Sequence, residues 1–407
     1  MALNDIIFQK QNGGMGRRSA NEDVISGLVL SMNGKLTGGD LSQFDPVSVG
    51  ADTLYMAKLT FYEQLLNLYG IDKTDTPATD TEKANNAIDY HVSEFFRMSP
   101  TGTLYAAVRL TGEVTGADIQ AVQNYAGGVI RQMGLMTESD ANIADYQTAA
   151  TALEADHCPL SIVFTTDGTG QLLTDFIATN TKIVAGRCNV SELIGCDLSP
   201  ALLQRLGTTA GTFGAYGCIG TALGALSAAS VHESIAWVGK FPLSLVLPGF
   251  ITGELIKTVP TSTQSLINDG RYIFVRTHAG IANNYFNDSF TYDLTTSDYA
   301  FIENERTIDK AVRGIRSYML PTLNAPIYVD ADTGKLRADT VAVLENTAGK
   351  ALEEMEKAGE LSGYRAEIDP EQNIIATSQL EIIIRNVPVG VLRRVLIKIG
   401  YTVSMDN

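Results

Sequence analysis

Between Leu206 and Val231 the chain carries no charged residue, and this stretch, LGTTAGTFGAYGCIGTALGALSAASV, narrows the choice of folds more than any other. It is long enough for the ~20 residues of a membrane-spanning helix. Yet it is built from Gly, Ala, Ser and Thr rather than the Leu, Ile and Phe that drive transfer into hydrocarbon. No second candidate span accompanies it, so a buried segment without a membrane span is expected. Its glycines stand at 207, 211, 214, 217, 220 and 224, in steps of three and four, the spacing of one helix face. The pattern predicts a helix with a bare stripe that lets a neighbour approach closely. A phosphate-cradling loop is not supported, since neither GxGxxG after a strand nor GxxxxGK[ST] occurs.

Around this segment, helical and strand-like runs alternate. Helical spacing is read over Leu54–Tyr69, Glu82–Phe96 and Asp118–Gly134, and short apolar runs over Gly27–Met32, Thr103–Leu110 and Leu160–Thr165. That alternation predicts an α/β layered domain over residues 26–270. After Gly270 come a strand at Tyr272–Arg276 and amphipathic helices within Tyr299–Leu320 and over Asp339–Lys357. Strands at Tyr364–Ile368 and Ile374–Arg385 come next, and together these make an α+β unit over 271–390. The flanks, 1–25 and 391–407, read as extended strand arms. Ile6, Ile7 and Phe8 form one apolar patch before a polar, Gly-containing stretch. The closing run alternates Val395, Ile397, Ile399 and Tyr401 with Leu396, Lys398 and Gly400. Such a strand pairs within its subunit or leaves it.

Charge and chemistry then limit function. With 30 Lys+Arg against 46 Asp+Glu the formal net charge is −16, which argues against nucleic acid or an anionic membrane as partner. Against that background Arg306, Lys310, Arg313 and Arg316 gather opposite Ile308, Val312, Ile315 and Met319, with Asp309 among them. This face is either solvated or docks on an acidic partner. Cys158, Cys188, Cys196 and Cys218 are too few for a disulfide scaffold and match no zinc spacing. His232-Glu233 begins like HExxH, but Ala236 replaces the second histidine. His157 and Cys158 are adjacent, so on extended backbone they point to opposite faces. No GxSxG elbow is present, and Met1-Ala-Leu-Asn-Asp does not open a secretory signal. No catalytic residue, cofactor or metal site is expected. The alternatives are an α/β enzyme with an oligomerisation domain, using a pocket near His157, Cys158 or His232, and a non-contractile capsid or baseplate component.

Several stretches in order carry a resemblance: YHVSEFFRM (90–98) then GTLY (102–105), TSDY (296–299), NERTIDKAVRGIR (304–316), ADTGKL (331–336), GELSGY (359–364) and the closing strand. The chain resembles the contractile tail sheath proteins of myophages and related injection systems, most closely the Bacteroidetes-type forms. The likeness is strongest over Gly270–Val403 and extends over Ala84–Ser244. It implies a non-enzymatic subunit that polymerises helically around an inner tube and contracts to drive it through a target envelope. By the same resemblance the arms, here Leu3–Ser19 and Arg394–Val403, donate strands to a neighbour's sheet. The 271–390 domain would face the tube, and Arg306, Lys310, Arg313 and Arg316 would grip it. Further copies of the chain, the inner tube protein, the baseplate and a tail terminator are the implied partners. A virion tail or injection particle, assembled in the bacterial cytoplasm, is the implied location.

Overall fold

Short apolar runs bounded by turn residues become the strands of one large sheet. The computed structural model describes residues 22–178, 182–207 and 216–401. In it the sheet comprises β1 (Ile25–Ser31), β2 (Asp45–Val49), β3 (Asp52–Leu59), β4 (Thr103–Arg109), β5 (Gln132–Met136), β6 (Ser161–Thr165) and β7 (Val190–Glu192). Their order is β2-β3-β4-β1-β5-β6-β7. The central strand β1 pairs in parallel with both neighbours, Leu28 lying opposite Ala106 on one side and Gly134 on the other. β5, β6 and β7 continue the parallel run, whereas β2, β3 and β4 pair antiparallel.

Helices cover both faces. The first are α1 (Gln64–Asn67), α2 (Asp80–Met98), α3 (Gly116–Tyr125), α4 (Ile143–Ala155), α5 (Leu173–Ile177), α6 (Pro200–Leu206) and α7 (Ile219–Ala228). Successive strand side chains point to opposite faces, so β1 feeds two cores. Leu28 and Leu30 join Val92 and Phe95 of α2 and Leu223 and Leu226 of α7. Val29 joins Ile119 and Val122 of α3 and Tyr146 and Leu153 of α4. A mostly parallel sheet is stable only when covered on both sides in this way. The α2 start is written locally, because Thr79 and Glu82 form a reciprocal capping box.

The uncharged segment behaves as its glycine spacing predicts over α7. A Cβ on Gly220 would overlap the carbonyl oxygen of His91, and one on Gly224 would lie 2.7 Å from the Phe95 carbonyl oxygen. Bare positions therefore seat α7 directly on the α2 backbone. Residues 208–215 of the segment lie outside the described residues. Among the described residues no helix is long and apolar enough to cross a membrane.

Three expectations change. The Leu54–Tyr69 run is not one helix: its first part is β3, a strand with Leu54 and Met56 buried on one face and Ala57 and Leu59 on the other. An apolar strand covered on both sides loses its period of two and imitates a helix. The Asp118–Gly134 helix stops at Tyr125, because Gly127 and Gly128 adopt φ of 70° and 78°. The last residues of that run enter β5 instead. The domain boundary expected at 270 is also displaced. Next come β8 (Gly195–Asp197), β9 (Pro248–Phe250), α8 (Thr261–Asp269), β10 (Val275–Thr277) and β11 (Asn284–Phe286). Here Ile273, Val275 and Phe286 complete the first core, and Tyr272, Phe274 and Tyr292 the second. The first unit thus runs on past residue 290.

The second unit consists of α9 (Ile302–Met319), α10 (Ala338–Lys357), β12 (Leu361–Glu367), α11 (Ile374–Thr377) and β13 (Ile383–Pro388). β12 and β13 pair antiparallel as a two-stranded sheet. Its cores are small, one around Ala311, Leu352, Met355 and Leu361, the other around Leu336, Leu344 and Ile368. The strand expected over Ile374–Arg385 survives only from Ile383, since Asn373 caps a single helical turn before it.

The α2–α7 contact is open to a direct test. Gly220→Ala forces a methyl into backbone that cannot retreat, and overpacking of this kind costs about 1–3 kcal/mol. Urea unfolding should show a lower midpoint with an unchanged slope. An unchanged midpoint would contradict the close approach.

Candidate assembly site

Helix α9 was expected to bury Ile308, Val312, Ile315 and Met319 and to expose its basic stripe. The structure turns its N-terminal half the other way. Glu303, Glu305, Arg306, Thr307 and Asp309 are buried, whereas Val312 is 44% exposed. The physical reason is that Glu303, Glu305 and Arg306 each meet a counter-charge or hydrogen-bond partner as α9 packs against the first unit. Burial of charge is tolerable only on those terms.

Arg306 is 3% exposed, and its Nη2 donates to the Ala229 carbonyl at the end of α7 at 3.3 Å. Lys310 Nζ sits 2.7 Å from Asp23 Oδ2 and 2.6 Å from Glu360 Oε1, and Arg313 Nη2 lies 3.1 Å from Asp23 Oδ1. Burial alone would raise the Asp23 pKa, but Lys310 and Arg313 hold it below its ordinary value. The next residue back, Glu22, pairs with Arg131 at 2.5 Å. These carboxylates stand immediately before β1. As a free basic face, the stripe is therefore corrected: Arg306, Lys310 and Arg313 are engaged within the chain. Among the described residues Arg316 forms no ion pair.

At the other end of α9, Glu303 accepts from Ser289 and pairs with Arg393. Arg393 Nε also donates to both Asp288 carboxylate oxygens at 3.0 Å, and its guanidinium stacks 3.4 Å from the Phe301 ring centre. Beyond this anchor the C-terminal arm projects with its apolar side chains uncovered. Val395, Leu396, Ile397 and Ile399 are 64–93% exposed, and Tyr401 is fully exposed. The strand expected over 391–403 forms no ladder in its described part. Ile383 and Val387 of the β12–β13 hairpin are exposed as well. A two-stranded sheet is marginal alone, and its open edges invite another strand. Ile6, Ile7 and Phe8 lie outside the described residues.

Among the described residues the nucleophile candidates do not converge in this way. His157 is exposed on a left-handed turn with φ of 64°. A cavity of about 320 Å³ opens at the junction of the two units, lined by Asp23, Ser99, Thr101, Ser227, Lys310 and Glu360 among others. None of His157, Cys158 and His232 lines it. Sequence reasoning missed Asp23, Asp288, Glu303 and Arg393. Charged residues on a helix or in a loop read as solvated, and only their distant partners reveal otherwise.

Family models match almost the whole chain: the DUF2586 N-terminal domain over residues 3–290 and the DUF2586 C-terminal domain over 298–406. The gap between them falls just before α9. No curated protein matches. Among solved structures the chain is similar to one from the anti-feeding prophage helical sheath in the contracted state. There the TM-score is 0.61 at 13% identity, over 97% of this chain and 99% of that one. It is also similar to a chain of an extracellular contractile injection system, the PVC sheath complex in the contracted state, with TM-score 0.60 and 12% identity over 99% and 98%. A chain of the anti-feeding prophage baseplate, 6-fold symmetrised, gives TM-score 0.57 at 12% identity over 99% of both. At such identities the likeness is one of fold.

The buried acids of α9 make a pH prediction. Burial first, then the neighbouring Asp309 and Glu154 carboxylates, push Glu305 up from 4.5 to about 8. The folded state then binds more protons than the unfolded one, so stability falls as pH rises from about 4.5 to about 8. Glu305→Gln keeps an acceptor for Asn189 Nδ2, now at 2.9 Å, and removes the ionisation. Thermal unfolding measured across this range should show a higher midpoint for the variant at the alkaline end and a flatter pH dependence. Parallel wild-type and variant curves would refute it.

Proposed function

The chain belongs to the DUF2586 family, and we propose that it is the structural subunit of a contractile tail sheath, polymerising helically around an inner tube and contracting to drive that tube through a target envelope. The observation that carries this reading is a fold shared end to end with sheath chains, over 97–99% of this chain and 98–99% of theirs. Local structure supports it independently. The exposed apolar arm and the open β12–β13 hairpin are complementary halves of one interaction, since an extended segment adds to a sheet edge through backbone hydrogen bonds. Donor and acceptor lie at different places on the same surface. The contact is therefore heterologous, and when its rotation does not close it generates a helix of subunits.

In this reading the second unit faces the tube and the first faces outward. Tube contact by the α9 stripe is retained only for the charge left over. Arg316 is the candidate, while Arg306, Lys310 and Arg313 are committed to Ala229, Asp23 and Glu360. Weak, salt-screened pairs suit a contact that must release on contraction. The tube, baseplate and tail terminator are the proposed partners, in a virion tail or injection particle assembled in the bacterial cytoplasm.

Negative-stain microscopy of the purified full chain beside a truncation ending at Arg394 tests the proposal. Striated hollow tubes from the full chain, and monomers from the truncation, are expected. Monodisperse monomers from both would overturn it, as would tubes of equal length from both for the strand-donating role of the arm.

A further inference from the structure

One lysine of the first unit is enclosed as surface lysines are not. Lys182, on the segment leading into β7, is 7% exposed. Its ammonium lies 4.7 Å from the ring centre of Phe176 on α5 and 5.2 Å from that of Tyr272. Tyr292 closes the same box, its ring centre 6.1 Å from that of Tyr272. Two carboxylates reach into it. Asp140 Oδ2, from the turn before α4, is 2.7 Å from Lys182 Nζ, and Glu192 Oε2, at the end of β7, is 2.8 Å away. Glu192 is fully buried, and the Tyr292 hydroxyl donates to the same Oε2. Among the described residues its Oε1 has no hydrogen-bond partner. A single counter-charge would satisfy the lysine. A second carboxylate, wholly desolvated and with one oxygen unpaired, adds a cost that a purely structural ion pair does not require.

We propose that Lys182 and Asp140 become joined by an amide bond between their side chains, with Glu192 as the catalytic acid–base, so that the chain staples its own first unit. The reacting groups are already in contact, and held contact is worth a large effective concentration. The charged pair first becomes neutral as Lys182 passes a proton to Asp140, a transfer that an aromatic enclosure favours over water. The Nζ lone pair then attacks Asp140 Cγ, and the Nζ–Cγ bond forms. Glu192 takes a proton from Nζ and delivers one to the departing hydroxyl. The Cγ–O bond breaks, one water leaves, and Glu192 is regenerated. Nothing is oxidised or reduced, and no co-reactant is consumed. Burial raises the Glu192 pKa against the pull of Lys182, which suits a group that must both take up and release a proton. Burial lowers the Lys182 pKa, yet Glu192, Tyr272 and Asp140 together outweigh it and keep the amine protonated most of the time. The reaction is therefore a slow maturation step rather than part of folding. Asp140 follows β5 and Lys182 precedes β7, so the bond ties the connection before β6 to the connection after it. It belongs to the first unit alone and forms whatever the chain assembles into.

Peptide mass spectrometry of the full-length chain, purified and left folded at neutral pH for several days, tests this. Trypsin cuts after Lys and Arg, and between Arg131 and Arg187 the only such site is Lys182. The expected product is a peptide of residues 132–187, uncut at Lys182 and one water lighter than its sequence, that grows with time. Its fragments should place the link between residues 140 and 182. Lys182→Arg keeps the charge but offers no amine, and Asp140→Ala removes the acyl group; both should keep the full mass. Glu192→Gln should form the bond at least about a hundredfold more slowly, the ordinary loss on removing a general acid–base. If Glu192→Gln does not fold, the comparison of wild type with Asp140→Ala, altered only at a 46% exposed side chain, decides the bond by itself. A wild-type chain that stays at full mass with Lys182 cut would overturn the proposal. So would loss of water with Lys182 still cut, which is Asp140 closing on its own backbone. A link that persists in Asp140→Ala would place the bond on Glu192 and overturn the assignment. Bond formation in Glu192→Gln at the wild-type rate would overturn the catalytic role.

Discussion

Asp23 meeting Lys310 and Arg313 is the contact on which the arrangement of the two units depends. A carboxylate buried beside two cations is favourable only while all of them stay in place, because removing one strands the others away from water. That condition fixes where α9 lies against the start of β1. The same side of α9 faces inward where Glu303 meets Arg393, Glu305 meets Asn189 and Arg306 meets Ala229. The hairpin is placed in turn, because Glu360 at the head of β12 shares Lys310 with Asp23. A handful of desolvated charges thus sets geometry that the small apolar cores of the second unit could not set by themselves.

The two units divide the physical labour unequally. The first buries a parallel sheet on both faces, with α7 pressed onto α2 through Gly220 and Gly224, and interiors packed this closely resist deformation. The second has only modest apolar clusters and a two-stranded sheet, and it leaves Val395, Ile397 and Ile399 exposed. Among the described residues nothing covers that surface. On the proposed sheath reading, cover supplied by a neighbour would make stability and assembly the same event. Burial of the acids around Glu305 on α9 then adds a pH dependence where the two units meet.

Much of the frame was legible in the residues. Helical spacing placed most of α2, and the amphipathic helix over Asp339–Lys357 is α10. The glycine steps near 220 announced a close helix contact. The failures have physical causes. β3 read as a helix because covered strands lose their alternation, and the 270 boundary was wrong because Tyr272, Phe274 and Tyr292 pack back into a core formed far earlier in the chain. On α9 the apolar residues did not choose the buried face. Electrostatic partners 77 to 290 positions away did, as Arg306–Ala229 and Arg313–Asp23 show.

By itself the sequence determined the layered α/β character of the first unit and the helix-rich second unit, and it left open whether the closing run pairs within its subunit or leaves it. These rest on local periodicity, composition and caps, which act over a few residues. Only the tertiary structure decided which side of α9 is buried, where the units divide, and that Arg393 fastens the arm it belongs to. The division of the units turns on apolar packing between residues far apart in the chain and the other two on pairing between distant charges, and a charged residue looks the same in a string of letters whether its partner is water or Asp23.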